Sequence, residues 1–235
     1  MKKIYFFYCL VLSFWACTNH EATLESAKKS LSAGQDEQVV QTLTPVLTEN
    51  PDLHEGFNLR GVAFLNLKQP EKALADFNTA IKLNSTDYKY FYNRGNVYQA
   101  AQQLSDALKD YEKAIELSPN QADLYTNKGV VLIQMSRHKE ALAALNKAIG
   151  LNPSDKNAVF NRGQVHLFLQ DYDKAIADLH HTVEISPDFG KGHYILAKAE
   201  LFKNQQKATP ETCSHLEKAK ELGYADTDSL MTYCK

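Results

Sequence analysis

Apolar and small residues recur along this chain with a fixed long period. Gly61, Gly95, Gly129 and Gly163 stand 34 residues apart. Each is followed at one constant offset by Ala73, Ala107, Ala141 or Ala175, then by a large apolar residue, Phe77, Tyr111, Leu145 or Leu179. Ala80, Ala114, Ala148 and Thr182 come next, and Ser85, Pro119, Pro153 and Pro187 close each unit. Phe57, Phe91, Tyr125 and Val159 precede the glycines by one turn of helix. The pattern predicts helix A, a turn, helix B and a proline stop in every unit, because proline cannot continue a helix but can start the next segment. The glycine is expected where helix A approaches helix B, with the first alanine as its small partner across the crossing. A hairpin of this kind cannot bury both faces alone, so neighbours must stack.

The aromatic–Gly–aromatic–Ala–aromatic–Ala–Pro order over this period resembles the tetratricopeptide repeat family. The resemblance implies an all-α fold, a helix-turn-helix superhelical solenoid with a C-terminal capping helix. Full units are expected at 54–87, 88–121, 122–155 and 156–189. A degenerate unit precedes them within 17–53, with Ala27 at the glycine place and Pro45 expected to kink its helix B. Another follows at 190–223, with helix A from Lys191 to Lys203, Ala197 at the glycine place and a short insertion at 204–210. Residues 224–235 read as the cap.

The N-terminus is different material. Lys2 and Lys3 precede the apolar run Ile4 to Ala16, which turns polar at once after Cys17. The run falls short of the ~20 residues a membrane-spanning helix needs, and it suits a signal-peptide core over 1–16. A small residue directly before Cys at the end of such a core resembles the lipobox of bacterial lipoproteins. That resemblance implies cleavage before Cys17 and acylation of Cys17; the alternative is an ordinary secretory signal. Phe14 and Trp15 are bulkier than the family's usual residues there. Thr18 follows Cys17 where an Asp retention signal would stand. By family analogy this implies a bacterial cell-envelope location, as an outer-membrane lipoprotein facing the periplasm.

Composition is that of a soluble globular chain, 44% hydrophobic and 23% charged over 235 residues. A net charge of −2 supplies no basic field, so nucleic acid is not an expected partner. Local motifs for catalysis, phosphate binding or metal ligation are missing: no HExxH, CxxC, glycine-rich phosphate loop or G-x-S-x-G occurs. His180 and His181 are adjacent, and adjacent helical residues diverge, so the pair makes a poor chelate. No catalytic residue, cofactor or metal is therefore expected.

Two sets of polar residues follow the repeat. Arg60, Arg94, Lys128 and Arg162 stand directly before the glycines, and Asp76, Asp110, Ala144 and Asp178 stand on helix B. Where Asp is lost, Arg has become Lys. The pattern predicts intra-hairpin ion pairs Arg60–Asp76, Arg94–Asp110 and Arg162–Asp178, with the planar guanidinium bonding carboxylate through two nitrogens. The second set is Asn93, Asn127 and Asn161, two places before glycine. In tetratricopeptide proteins this place lines the concave groove, and a carboxamide there can bond a peptide backbone. A structural bond to the adjacent helix is the alternative. Tyr92 and Phe160 share one repeat place and are expected to face the groove or to pack half-buried.

The family's carboxylate clamp is only partly matched. Lys191 and Asn161 fit it, while Thr126, Val130 and Ile195 replace the residues it needs. Once Cys9 leaves with the leader and Cys17 takes lipid, Cys213 and Cys234 remain, an even pair in an exported chain. A disulfide stapling the cap, or two free thiols, would account for them. The expected function is a membrane-tethered scaffold that holds a peptide or protein partner in a concave groove. An assembly factor docking an envelope complex through its convex or end surfaces is the alternative, and an accessory domain of an enzyme is a more remote one.

Overall fold

The computed structural model describes residues 20–234; the N-terminal apolar run, expected to be a signal peptide, and Cys17 lie outside the described residues. Every regular element among them is helical. The chain falls into two compact units that divide after Leu117. The first holds α1 (20–32), α2 (Asp36–Glu49), α3 (His54–Asn66), α4 (Pro70–Leu83), α5 (Tyr88–Ala100) and α6 (Leu104–Leu117). The second holds α7 (Ala122–Gln134), α8 (His138–Leu151), α9 (Lys156–Phe168), α10 (Tyr172–Ile185), α11 (Gly190–Lys203), α12 (Pro210–Glu221) and α13 (Thr227–Met231), closed by a 3₁₀ turn at Thr232–Cys234. No described helix is long and apolar enough to cross a membrane.

Each hairpin turns the same way. Lys68, Gln102, Ser136 and Gln170 all have φ between 59° and 62°, the left-handed region, although none is glycine. The next amide in each case donates back five residues: Gln69 to the Phe64 carbonyl, Gln103 to Tyr98, Arg137 to Leu132 and Asp171 to His166, at 2.8–2.9 Å. This is the Schellman closure, which satisfies carbonyls that the helix end leaves unpaired. The degenerate N-terminal hairpin uses Gly34 at φ 70° for the same turn.

The repeat glycines stand against the large apolar residue of helix B rather than against the first alanine. A Cβ on Gly61 would lie 2.7 Å from the Phe77 ring, and one on Gly129 would lie 2.8 Å from Leu145. Phe77, Tyr111, Leu145 and Leu179 are fully buried, so the missing methyl is the space those side chains fill. Ala73, Ala107, Ala141 and Ala175 are also fully buried. Tyr111 buries a hydroxyl as well, which lies 2.7 and 2.8 Å from the Asn96 and Gln99 side-chain oxygens and gives its one proton to either.

The helix α2 runs on through Pro45 to Glu49. Two boundaries differ from the sequence expectation. The last helix A starts at Gly190. The cap shrinks to five helical residues and a 3₁₀ turn, in which Thr227 is the buried residue. The insertion before α12 carries two consecutive left-handed residues, Gln205 and Gln206. Pro210 then opens α12 at a position where its missing N–H costs nothing, and the Thr209 side chain caps the Thr212 amide.

Candidate functional site

The three Arg–Asp positions meet within their own hairpins. In each, Nε reaches one carboxylate oxygen at 2.8 Å and Nη2 reaches the other at 2.6–2.8 Å. Bonding to Asp110 and Asp178 raises the pKa values of Arg94 and Arg162 above the ordinary arginine value. The third nitrogen, Nη1, reaches back to helix B of the preceding hairpin, to Asn78 from Arg94 and to Asn146 from Arg162. These asparagines went unnoticed in the sequence, although they share one repeat place. Aromatic rings complete the surroundings of the guanidinium: Arg94 lies 5.7 Å from the Phe91 centroid and 5.8 Å from that of Tyr98. The pairs are thus neutralised scaffold, spent on holding helices together.

The groove residues separate into exposed and buried sets. In the first unit Tyr92 and Asn93 are half-buried on α5, and Asn93 donates to the carbonyl oxygen of Asn58 on α3 at 2.8 Å. The Tyr92 ring stands 6.2 Å from Tyr111. In the second unit Asn127 on α7 and Asn161 on α9 are half-buried. Phe160 departs from the groove expectation. It is only 6% exposed and packs edge-on against Phe189 at 4.9 Å, within a core that includes Leu179, Val183, Ile195 and Leu196. Lys191 is exposed, with its ammonium 5.5 Å above the Phe160 ring. A clamp is not formed by these residues, since the Thr126 hydroxyl is spent on Asp155 at 2.7 Å and Ile195 is core.

A second constellation lies where α10 meets the last hairpin, α11 and α12. His180 and His181 do diverge: His181 faces Glu184, while His180 Nε2 lies 3.7 Å from Glu200 and 3.9 Å from Glu211. His215 Nε2 lies 4.0 Å from Glu200. Donor atoms of His180, Glu200, Glu211 and His215 all fall within 4.8 Å of one another, a set able to hold a metal ion. Burial pushes the Glu200 carboxyl above its usual range, against an opposing Thr212 hydroxyl and His180. Burial, followed by nearby His193 and His180, holds His215 below the usual histidine value. The expectation of no metal rested on local spacings, and these residues come from three helices, so no short motif could reveal them.

On the far side of α12 the Cys213 and Cys234 sulfurs are bonded, with Cα atoms 5.8 Å apart. The bond ties the 3₁₀ turn to the last helix B.

Comparison with known proteins places these features in a family. Tetratricopeptide repeat models match residues 54–87, 88–121 and 122–155, and a further one matches 157–189. No curated protein matches the chain. Among solved structures, YrrB, a TPR protein with an unusual peptide-binding site, is similar over 82% of this chain and 98% of its own, at 23% identity and TM-score 0.67. The pilF protein of Pseudomonas aeruginosa covers 94% of this chain and 99% of its own, at 16% identity and TM-score 0.82. MamA from Desulfovibrio magneticus RS-1, residue 41 onward, covers 72% and 94%, at 22% identity and TM-score 0.65. At these identities the likeness is one of fold. Four consecutive matched units, each with the same glycine and turn, establish that the chain belongs to the tetratricopeptide repeat family.

Proposed function

We propose that this chain is a lipid-anchored interaction module that binds a segment of another protein through its helix A carboxamides. The observation that carries the reading is Asn161. It is half-buried, its carboxamide makes no hydrogen bond to the described residues, and it repeats the place of Asn93 and Asn127. A carboxamide offers a donor and an acceptor together, which suits an extended peptide backbone. The framework guanidiniums of Arg94 and Arg162 are already matched by Asp110 and Asp178, so they do not compete with Asn161 for a ligand. YrrB, with its peptide-binding site on the same fold, supports the idea by analogy only. The anchor rests on the apolar run and Ala16-Cys17, and it puts the module at the envelope membrane of a bacterium.

Photo-crosslinking in the native host tests this. A crosslinker in place of Asn161 should capture a discrete protein partner, whereas one in place of Lys109, on the exposed face of α6, should not. Equal capture from both would refute the groove.

A second reading has one observation in its favour. Phe168 and Leu169, at the end of α9, are 66% and 45% exposed. An apolar edge of this kind suits docking to a larger assembly. Phe168→Ser would then abolish capture while Asn161→Ala left it intact.

A further inference from the structure

The last hairpin departs from the others at the places that surround the repeat arginine. Leu196 stands where Arg94 and Arg162 stand, so the guanidinium is gone. Leu216 and Ala219, both fully buried, fix the register of α12 after the insertion. In that register His215 occupies the place of Asp110 and Asp178. His180 occupies the place of Asn78 and Asn146. His193 and Glu200 take the places of Phe91 and Tyr98, the rings beside the Arg94 guanidinium. Four neighbours of a deleted cation have thus become imidazoles and a carboxylate. Glu211 joins them, one turn before His215 on the same face of α12.

With His193 neutral, hydrogen bonding sets how these groups face one another. The Pro187 carbonyl can only accept, so His193 Nε2, 3.0 Å away, carries a proton and donates to it. A neutral His193 then has a lone pair on Nδ1. His215 Nδ1, 3.2 Å from that atom, must donate to it. His215 Nε2 is left with a bare lone pair, buried and without a partner, facing Glu200. Glu200 Oε2 is likewise buried and unpartnered, in a residue only 8% exposed. Acceptors confronting one another across about 4 Å leave a place for a cation, and the carbonyl–His193–His215 relay is the outer-shell support that orients metal-binding imidazoles.

We propose that His180, Glu200, Glu211 and His215 form a zinc-class divalent metal site that takes the place of the framework guanidinium in the last repeat. Two imidazoles and two carboxylates make a tetrahedral N/O set. Metal–ligand bonds of about 2.0–2.1 Å put tetrahedral ligand atoms roughly 3.3 Å apart. Three of the observed separations are 3.7–4.0 Å and all lie within 4.8 Å, so the set closes to that value by side-chain shifts, with exposed Glu211 free to move furthest. The ion would fasten α10, α11 and α12 together, as arginine fastens successive hairpins elsewhere. With all four positions filled by protein it is a structural site, and Glu211, whose side chain is 68% exposed, forms its entrance.

The test uses the whole tag-free protein with Cys213–Cys234 oxidised, titrated with Zn²⁺ and, separately, with Co²⁺. One Zn²⁺ per chain is expected, and Co²⁺ should give the intense visible bands of a tetrahedral site. Glu211→Gln removes an exposed ligand without disturbing the core and should weaken Zn²⁺ binding about tenfold or more; His180→Asn should do the same. His193→Phe should weaken it without changing the stoichiometry. No stoichiometric Zn²⁺, or affinity unchanged in both Glu211→Gln and His180→Asn, would overturn the site.

Discussion

Arg94 grips Asp110 through two parallel bonds, at 2.8 and 2.7 Å, and the carboxylate beneath it is almost entirely buried. An exposed pair would contribute no more than about 1 kcal/mol. Burial changes the argument. The gain from forming the pair is offset by desolvation, but loss of one partner strands a charge inside the protein. The bond from Arg94 to Asn78 extends the grip across to the preceding hairpin.

Arg94→Ala should therefore destabilise by about 3 kcal/mol, the low end for breaking a buried pair. Arg94→Lys should recover little, since a point charge cannot span both oxygens and Asn78. Urea unfolding followed by circular dichroism reads both. A loss below about 0.5 kcal/mol for Arg94→Ala, the scale of an ordinary surface change, would show that the burial does not matter.

The left-handed turns give a prediction of opposite sign. Ser136 sits at φ 59°, where a side chain costs about 1 kcal/mol. Ser136→Gly should stabilise by about 0.5–1 kcal/mol, net of the extra chain entropy glycine loses on folding. Ser136→Ala keeps the Cβ and should gain nothing. If glycine lowers the melting temperature, the turn is not held as described.

The Cys213–Cys234 bond closes a loop with a sequence separation of 21, which in the chain-entropy account contributes about 3 kcal/mol. Because repeats couple mainly to their neighbours, the loss should be local. Cys213→Ser with Cys234→Ser should expose 224–234 to limited proteolysis and leave most helicity intact. A cleavage pattern identical to the oxidised protein would mean that packing alone holds the cap.

What could be read from the chain was whatever the repeat period multiplies. Gly95, Arg94 and Asp110 were legible because each has counterparts one repeat away, and shared spacing substitutes for a contact map. The partner of the glycine was misassigned to alanine, since spacing says which helices meet but not which side chain fills the gap. Phe160 shares its place with Tyr92, but Phe189 and Ile195 cover it, and neither belongs to the repeated set. His180, Glu200 and His215 were invisible for a related reason. They are exceptions to the period, and the insertion before α12 hides that they fall on the arginine's own surroundings.

The central claim is that the helix A carboxamides contact a partner. Its most direct measurement is the affinity of the captured partner segment for the wild-type chain and for Asn93→Ala, Asn127→Ala and Asn161→Ala combined. Each carboxamide bond to a neutral backbone contributes about 0.5–1.5 kcal/mol, so three should cost between about tenfold and a thousandfold in Kd. That loss, with no more than the small stability change expected from breaking the internal bonds of Asn93 and Asn127, is the predicted result. An unchanged Kd in the triple variant would contradict the account.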